Sequence, residues 1–127
     1  MNRNRFVLLG PVAFLAFSMP VLAHHSGSAY DRDHQNTLKG AVITFFELSN
    51  PHSRIEFEVK DRQGKVQKWI GEGPSPSQMI ENGWTKDTLQ LGDKVNIVGN
   101  LAKNGSPSLR VRWVTLPNGK DLFAYLN

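Results

Sequence analysis

The sequence contains no cysteine. That excludes a disulfide framework, thiol catalysis and thiolate metal sites, and it means the core alone must hold the fold. A membrane-length apolar run is missing too. The apolar stretch near the start, residues 6–17, lasts twelve residues before Ser18, Met19 and Pro20 interrupt it, against the ~20 that a spanning helix needs. No internal repeat and no low-complexity segment is present. A Gly-rich phosphate loop is lacking, as is a nucleophile elbow, so phosphoryl transfer and triad hydrolysis have no footing in the sequence.

Excess charge is also scarce. The chain has 15 basic and 11 acidic residues. Two of the basic ones, Arg3 and Arg5, precede the apolar stretch, which leaves 13 against 11 in the rest. A nearly balanced domain lacks the clustered basic face that nucleic-acid binding requires, so no nucleic-acid partner is expected.

What stands at the start is ordered in a telling way. Arg3 and Arg5 come first, then the short apolar stretch, then Val21-Leu22-Ala23 with small residues at −3 and −1. This is the layout of a secretory signal peptide cleaved after Ala23. The expectation is a periplasmic or secreted protein with no stable membrane anchor after cleavage. Residues 1–23 are the signal, residues 24–36 a polar arm and residues 37–127 one domain. The 104 residues from His24 onward suit a single modest core.

Along that domain the apolar spacing is that of strands. Residues 37–48 (TLKGAVITFFEL) are apolar on both faces, as in a strand that turns a corner, with Gly40 as the bend. Ser49-Asn50-Pro51-His52 reads as a turn. Ile55, Phe57 and Val59 alternate with Arg54, Glu56, Glu58 and Lys60, the pattern of a half-buried strand. Asp61-Arg62-Gln63-Gly64-Lys65 is a hairpin loop into a third strand over residues 66–71. A short helix over residues 77–82 is expected, capped by Ser75 or Ser77, with Gly83 at C′ and Trp84 as the apolar follower. Strands follow at 94–101 and 109–113, then the turn Leu116-Pro117-Asn118-Gly119 and a short last strand. Ile55, Phe57, Val59, Val95, Ile97, Leu109, Val111 and Trp113 share one parity and should line one core. The order β-β-β-α-β-β with a short C-terminal strand predicts a mainly β fold, a small five-stranded OB-like barrel. An SH3-like barrel or a small sandwich is the alternative.

Several short motifs carry a resemblance. They are Ala23-His24-His25-Ser26, Tyr30-Asp31, Leu38-Lys39-Gly40, Asn50-Pro51-His52, Gly83-Trp84-Thr85, Leu91-Gly92-Asp93-Lys94-Val95 and Leu116-Pro117-Asn118-Gly119. Together they resemble an exported bacterial family known only as domain of unknown function 6152, over essentially the whole chain after the signal. The resemblance implies an exported β-barrel protein and no particular activity.

All four histidines, His24, His25, His34 and His52, fall in the first half of the chain. Cleavage after Ala23 gives His24 a free α-amine beside its own imidazole. The two can chelate one metal ion, and an amine pKa of ~7.7–8.0 allows the metal to displace its proton near neutral pH. His52 or His25 would supply a further nitrogen. Such a set favours copper, with nickel or zinc also possible. In a meander, the exits of the first and third strands lie at one end of the barrel, so Glu72 is a possible additional ligand beside His52. The plainer reading makes His24 and His25 a loose terminus and His52 a turn residue. No enzyme signature and no catalytic residue is found. The competing expectation is a binding module that takes an oligosaccharide, a peptide or a small anion on the barrel face. Under that reading Trp69, Trp84 and Trp113 could form an aromatic platform, and Arg110 and Arg112 could meet an anion. Burial of the tryptophans and solvation of the arginines are the ordinary alternatives.

Overall fold

The computed structural model describes residues 28–126. Its strands are β1 (Asn36–Glu47), β2 (Arg54–Lys60), β3 (Val66–Glu72), β4 (Lys94–Leu101), β5 (Ser108–Thr115) and β6 (Asp121–Phe123), and one helix, α1 (Pro76–Glu81), lies between β3 and β4. The hydrogen-bonded order is β3-β2-β1-β4-β5-β6. A parallel pairing of β3 with β5 joins Ile70 to Ser108, Gly71 to Leu109 and Glu72 to Arg110. That seam closes a five-stranded barrel, and β6 is bonded outside it along the far half of β5. The expected OB-like architecture is therefore present.

The alternation seen in β2 places Ile55 and Phe57 inside. They meet Ala41 and Ile43 of β1, Val95 and Ile97 of β4, and Leu109, Val111 and Val114 of β5 in one buried cluster. Met79 of α1 and Trp84 just beyond it join the same cluster. Ser75 caps the helix, its side chain accepting from Gln78 N, and Pro76 occupies the first turn. This is where a missing N–H costs nothing. Gly83 follows at φ +90°. The Trp84 indole donates to Phe123 O at 2.7 Å, tying the helix exit to β6.

β1 bends as its two apolar faces suggested. Gly40 sits at φ +66°, and the register against β4 shifts between Leu38 and Ala41. A second shift, between Ile43 and Phe45 against β2, was not foreshadowed. It turns Phe45 outward, where unbroken alternation from Ile43 would have pointed it in.

One core assignment is corrected. Trp113 is only half-buried and lies outside the core cluster. The register of β4 against β5 slips so that Val98 faces Trp113 and Gly99 faces Val111. Arg112 is the extra residue of that bulge, and a one-residue insertion reverses side-chain parity. Val114 takes the inward place instead, and Trp113 packs on Phe123 of β6, ring centroids 5.8 Å apart.

The end of the polar arm is docked against the barrel. Tyr30 bridges to Ala102, Asp31 N donates to Leu101 O at 2.9 Å and Lys103 N to Ala29 O at 2.9 Å. Among the described residues no helix is long and apolar enough to cross a membrane.

Candidate functional site

The turn after β1 and the end of β3 meet at one mouth of the barrel. Ser49 Oγ donates to His52 O at 2.9 Å, and the Asn50–Pro51 peptide is cis. Ser53 N donates to Pro74 O and Gly73 N to Ser53 O, both at 2.8 Å. These bonds hold the His52 turn against the segment that follows Glu72.

Across this join, His52 Nδ1 lies 3.8 Å from Glu72 Oε1. Both atoms are shielded from solvent, and neither has a hydrogen-bond partner. Glu72 Oε2 accepts from the Tyr30 hydroxyl at 3.3 Å. Burial, then the neighbouring Glu72 charge, push the Tyr30 phenol up to about 12. The mouth therefore holds an imidazole nitrogen and a carboxylate oxygen without hydrogen-bond partners, and a phenol that stays protonated. Two ligands bound ~2.1 Å from one tetrahedral ion stand ~3.4 Å apart, so a small side-chain movement would let both atoms reach a single metal. Among the described residues there is no group of three or more His, Cys, Asp or Glu side chains placed to hold a metal.

The structure thus brings His52 and Glu72 together. His24 and His25 lie outside the described residues. His34 stands apart and exposed, its Nδ1 2.9 Å from Asp31 Oδ2. That contact raises the His34 pKa, while a backbone hydrogen bond from Asp33, and then His34, lower that of Asp31.

Next to the mouth, on the β5 side, a second set of side chains gathers. The Arg110 guanidinium lies over the Tyr125 ring, 3.8 Å from its centroid. Burial raises the Tyr125 phenol, and Arg110 works against that rise. Arg110 Nε is itself shielded and unpartnered. Sequence reasoning missed both tyrosines. For Tyr30 a signal was available, since it is the one large aromatic residue in an otherwise polar arm. For Tyr125 there was none, because its contact with Arg110 depends on the path of β6. A separate cleft of about 520 Å³ runs beside β2 and β3, edged by Glu58, Lys68, Trp69, Ile70 and Pro107.

Comparison with curated proteins gave no match, and neither did comparison with solved structures. A family model does match, over residues 13–109. It takes in β1 to β4, α1, the start of β5 and the His52 and Glu72 positions of the barrel mouth, and the chain accordingly belongs to the family of unknown function DUF6152.

Proposed function

We propose that this is an exported metal-binding protein whose site is the barrel mouth, with His52 Nδ1 and Glu72 Oε1 as two ligands and His24, freed by cleavage after Ala23, as the chelating remainder. The observation that carries the reading is the pair of shielded, unpartnered donor atoms 3.8 Å apart. A buried polar atom without a partner is costly, and a bound ion would satisfy both at once. The arm has the reach. Tyr30 is already anchored on Glu72, and the six residues back to His24 span up to ~20 Å when extended. An amine, two imidazoles and one carboxylate make a nitrogen-rich set that favours Cu(II) over the other common divalent ions. His25 is the reserve ligand if His24 binds through its amine alone. The site belongs to the periplasm or the medium outside the cell, where a cysteine-free copper site avoids thiol oxidation.

The test is Cu(II) titration of protein recovered after export, with its N-terminus read by intact mass. One Cu(II) should bind per chain. One extra residue ahead of His24 should weaken binding sharply, because it takes the amine out of the chelate ring. His52→Ala and Glu72→Gln should each weaken it as well, and His34→Ala should leave it unchanged. Equal copper affinity for native and extended N-termini removes His24 from the site. Equal affinity after His52→Ala and Glu72→Gln removes the barrel mouth from it.

A further inference from the structure

Toward the end of the barrel away from the mouth lies a cavity of about 340 Å³ that the metal reading does not use. β2 runs from Arg54, next to the His52 turn, to Lys60 at this end, which separates the two places by roughly 20 Å along the strand. Lys39 of β1, Lys60 of β2 and Lys94 of β4 line the cavity, with Glu58 as the only carboxylate among the described residues of its wall. Val42 and Val66, both exposed, flank the lysines. The volume falls within the ordinary range of small-molecule sites, ~300–1,000 Å³.

The charge of these three ammonium groups is free for a ligand. None of them forms an ion pair or a side-chain hydrogen bond with a described residue, and neither does Glu58. The acids next to two of the lysines in sequence are engaged in their own turns. Asp61 Oδ1 accepts from Gln63 N at 2.9 Å and from Lys65 N at 2.8 Å, and Asp93 Oδ2 accepts from Gln90 N at 2.9 Å. Neither lines the cavity. The local sequence explains how the lysines come together. Leu38 pairs with Ile97 and Ala41 with Val95, so Lys39 and Gly40 together stand opposite Asn96. This bulge keeps Leu38 and Ala41 both against the core and sets Lys39 beside Lys94 at the cavity. Bulges often re-aim side chains in this way beside binding sites. Asn96 Oδ1 fixes it by accepting from Gly40 N at 3.0 Å. Gly40 has φ +66°, and a Cβ there would lie 3.3 Å from Lys94 Cε, so the Lys94 stem crosses bare backbone. Three cations against one carboxylate repel each other, and apolar walls strengthen that repulsion relative to open water.

We infer that this cavity binds a phosphate group, held by the ammonium groups of Lys39, Lys60 and Lys94. Compact lysine charges suit a multiply charged oxyanion, whereas a planar carboxylate is matched better by arginine. A small phosphate ester and the headgroup of an anionic lipid share this chemistry, and the experiment separates them. The site is distinct from the barrel mouth, so it stands or falls independently of metal binding.

The probes are inorganic phosphate, glycerol 3-phosphate, potassium chloride at matched ionic strength, and vesicles of phosphatidylglycerol or of phosphatidylcholine. The ions are titrated into the labelled, exported protein and followed by amide and lysine side-chain NMR shifts, and vesicle binding is read by cosedimentation. Saturable shifts centred on Lys39, Gly40, Lys60 and Lys94 are expected for both phosphates and not for chloride. Lys39→Gln and Lys94→Gln should each weaken phosphate about fivefold, the size of one exposed charge contact, and the double variant should weaken it further. Glu58→Gln should strengthen binding, because it removes the one repelling carboxylate. Lys86→Gln, at an exposed position outside the cavity, and His52→Ala should leave it unchanged. Binding of glycerol 3-phosphate without vesicles assigns a free ester. Lysine-dependent binding of phosphatidylglycerol vesicles as well, and not of phosphatidylcholine, assigns the headgroup. The proposal is overturned if neither phosphate gives saturable shifts by ~10 mM, a limit near the weakest useful affinities. It is equally overturned if chloride reproduces the shifts, if both lysine variants bind like the parent, or if vesicles bind while neither free phosphate does.

Discussion

Tyr30 brings a phenol out of a polar segment and sets it 3.3 Å from Glu72 Oε2. Burial and the carboxylate both oppose its ionisation, and the folded-state value rises to about 12. In the unfolded chain the phenol titrates near ~10. The folded state therefore keeps this proton between pH ~10 and ~12 while the unfolded state loses it, so Tyr30 lowers stability as pH rises through that window and contributes fully below it. Tyrosinate absorbance should show both phenols, Tyr30 and Tyr125, titrating late, with Tyr30→Phe removing one of them, and the variant should lose stability less steeply between those pH values. The tryptophans offer a second contrast. Trp84 is 1% exposed and Trp113 is not in the core. Trp84→Ala should cost ~3–5 kcal/mol by chemical denaturation, with Trp113→Ala costing clearly less. The same comparison shows what single residues disclosed. Trp84 after Gly83 was legible as a helix-exit anchor because Gly-then-apolar is a local motif. Trp113 misled because its parity depends on a bulge, and Arg-Val-Arg-Trp-Val contains no glycine or proline to announce one.

At the scale of elements, β2 and α1 were readable because their signals are local: strict alternation in one, and Ser75 and Gly83 in the other. Ser75→Ala should lower stability by ~1 kcal/mol in thermal melts, as loss of an N-cap does. β4 and β5 were readable as strands but not in register. Gly99 shows what the register requires. It sits on β4 at the bulge, where any Cβ would run into Leu109 Cδ1 and the Arg110 carbonyl. A backbone carbonyl cannot yield as a flexible side chain can. Gly99→Ala should therefore displace β5 and destabilise strongly, whereas Gly64→Ala, in an open hairpin with φ +81°, meets no steric clash and bears only the positive-φ strain. Comparing their urea midpoints separates close approach from backbone conformation. The candidate site was half legible at this scale. A meander brings the ends of β1 and β3 together, so His52 beside Glu72 followed from topology alone. The Arg110–Tyr125 stack did not, because it needs the chain after β6 to return across β5.

The whole molecule turns on the β3–β5 seam, which is only three residue pairs long. It is reinforced by Ile70 N donating to Pro107 O at 3.1 Å. Closure there removes the exposed edges that would otherwise leave a small, cysteine-free barrel open to pairing with other chains. The seam also sets Glu72 opposite Arg110, so the barrel mouth is built on the joint that closes the barrel. Gly71 lies at its centre, buried, and an added Cβ would stand 2.8 Å from Val111 Cγ2. Gly71→Ala should overpack the joint at a cost of ~1–3 kcal/mol. Hydrogen exchange should report faster exchange at the Ile70 amide, while the β1–β2 hairpin keeps its protection. A loosened seam displaces Glu72, so this variant should weaken copper binding as well. If Gly71→Ala slackens the seam and leaves copper affinity intact, then the ion is not held by residues whose positions the closure sets.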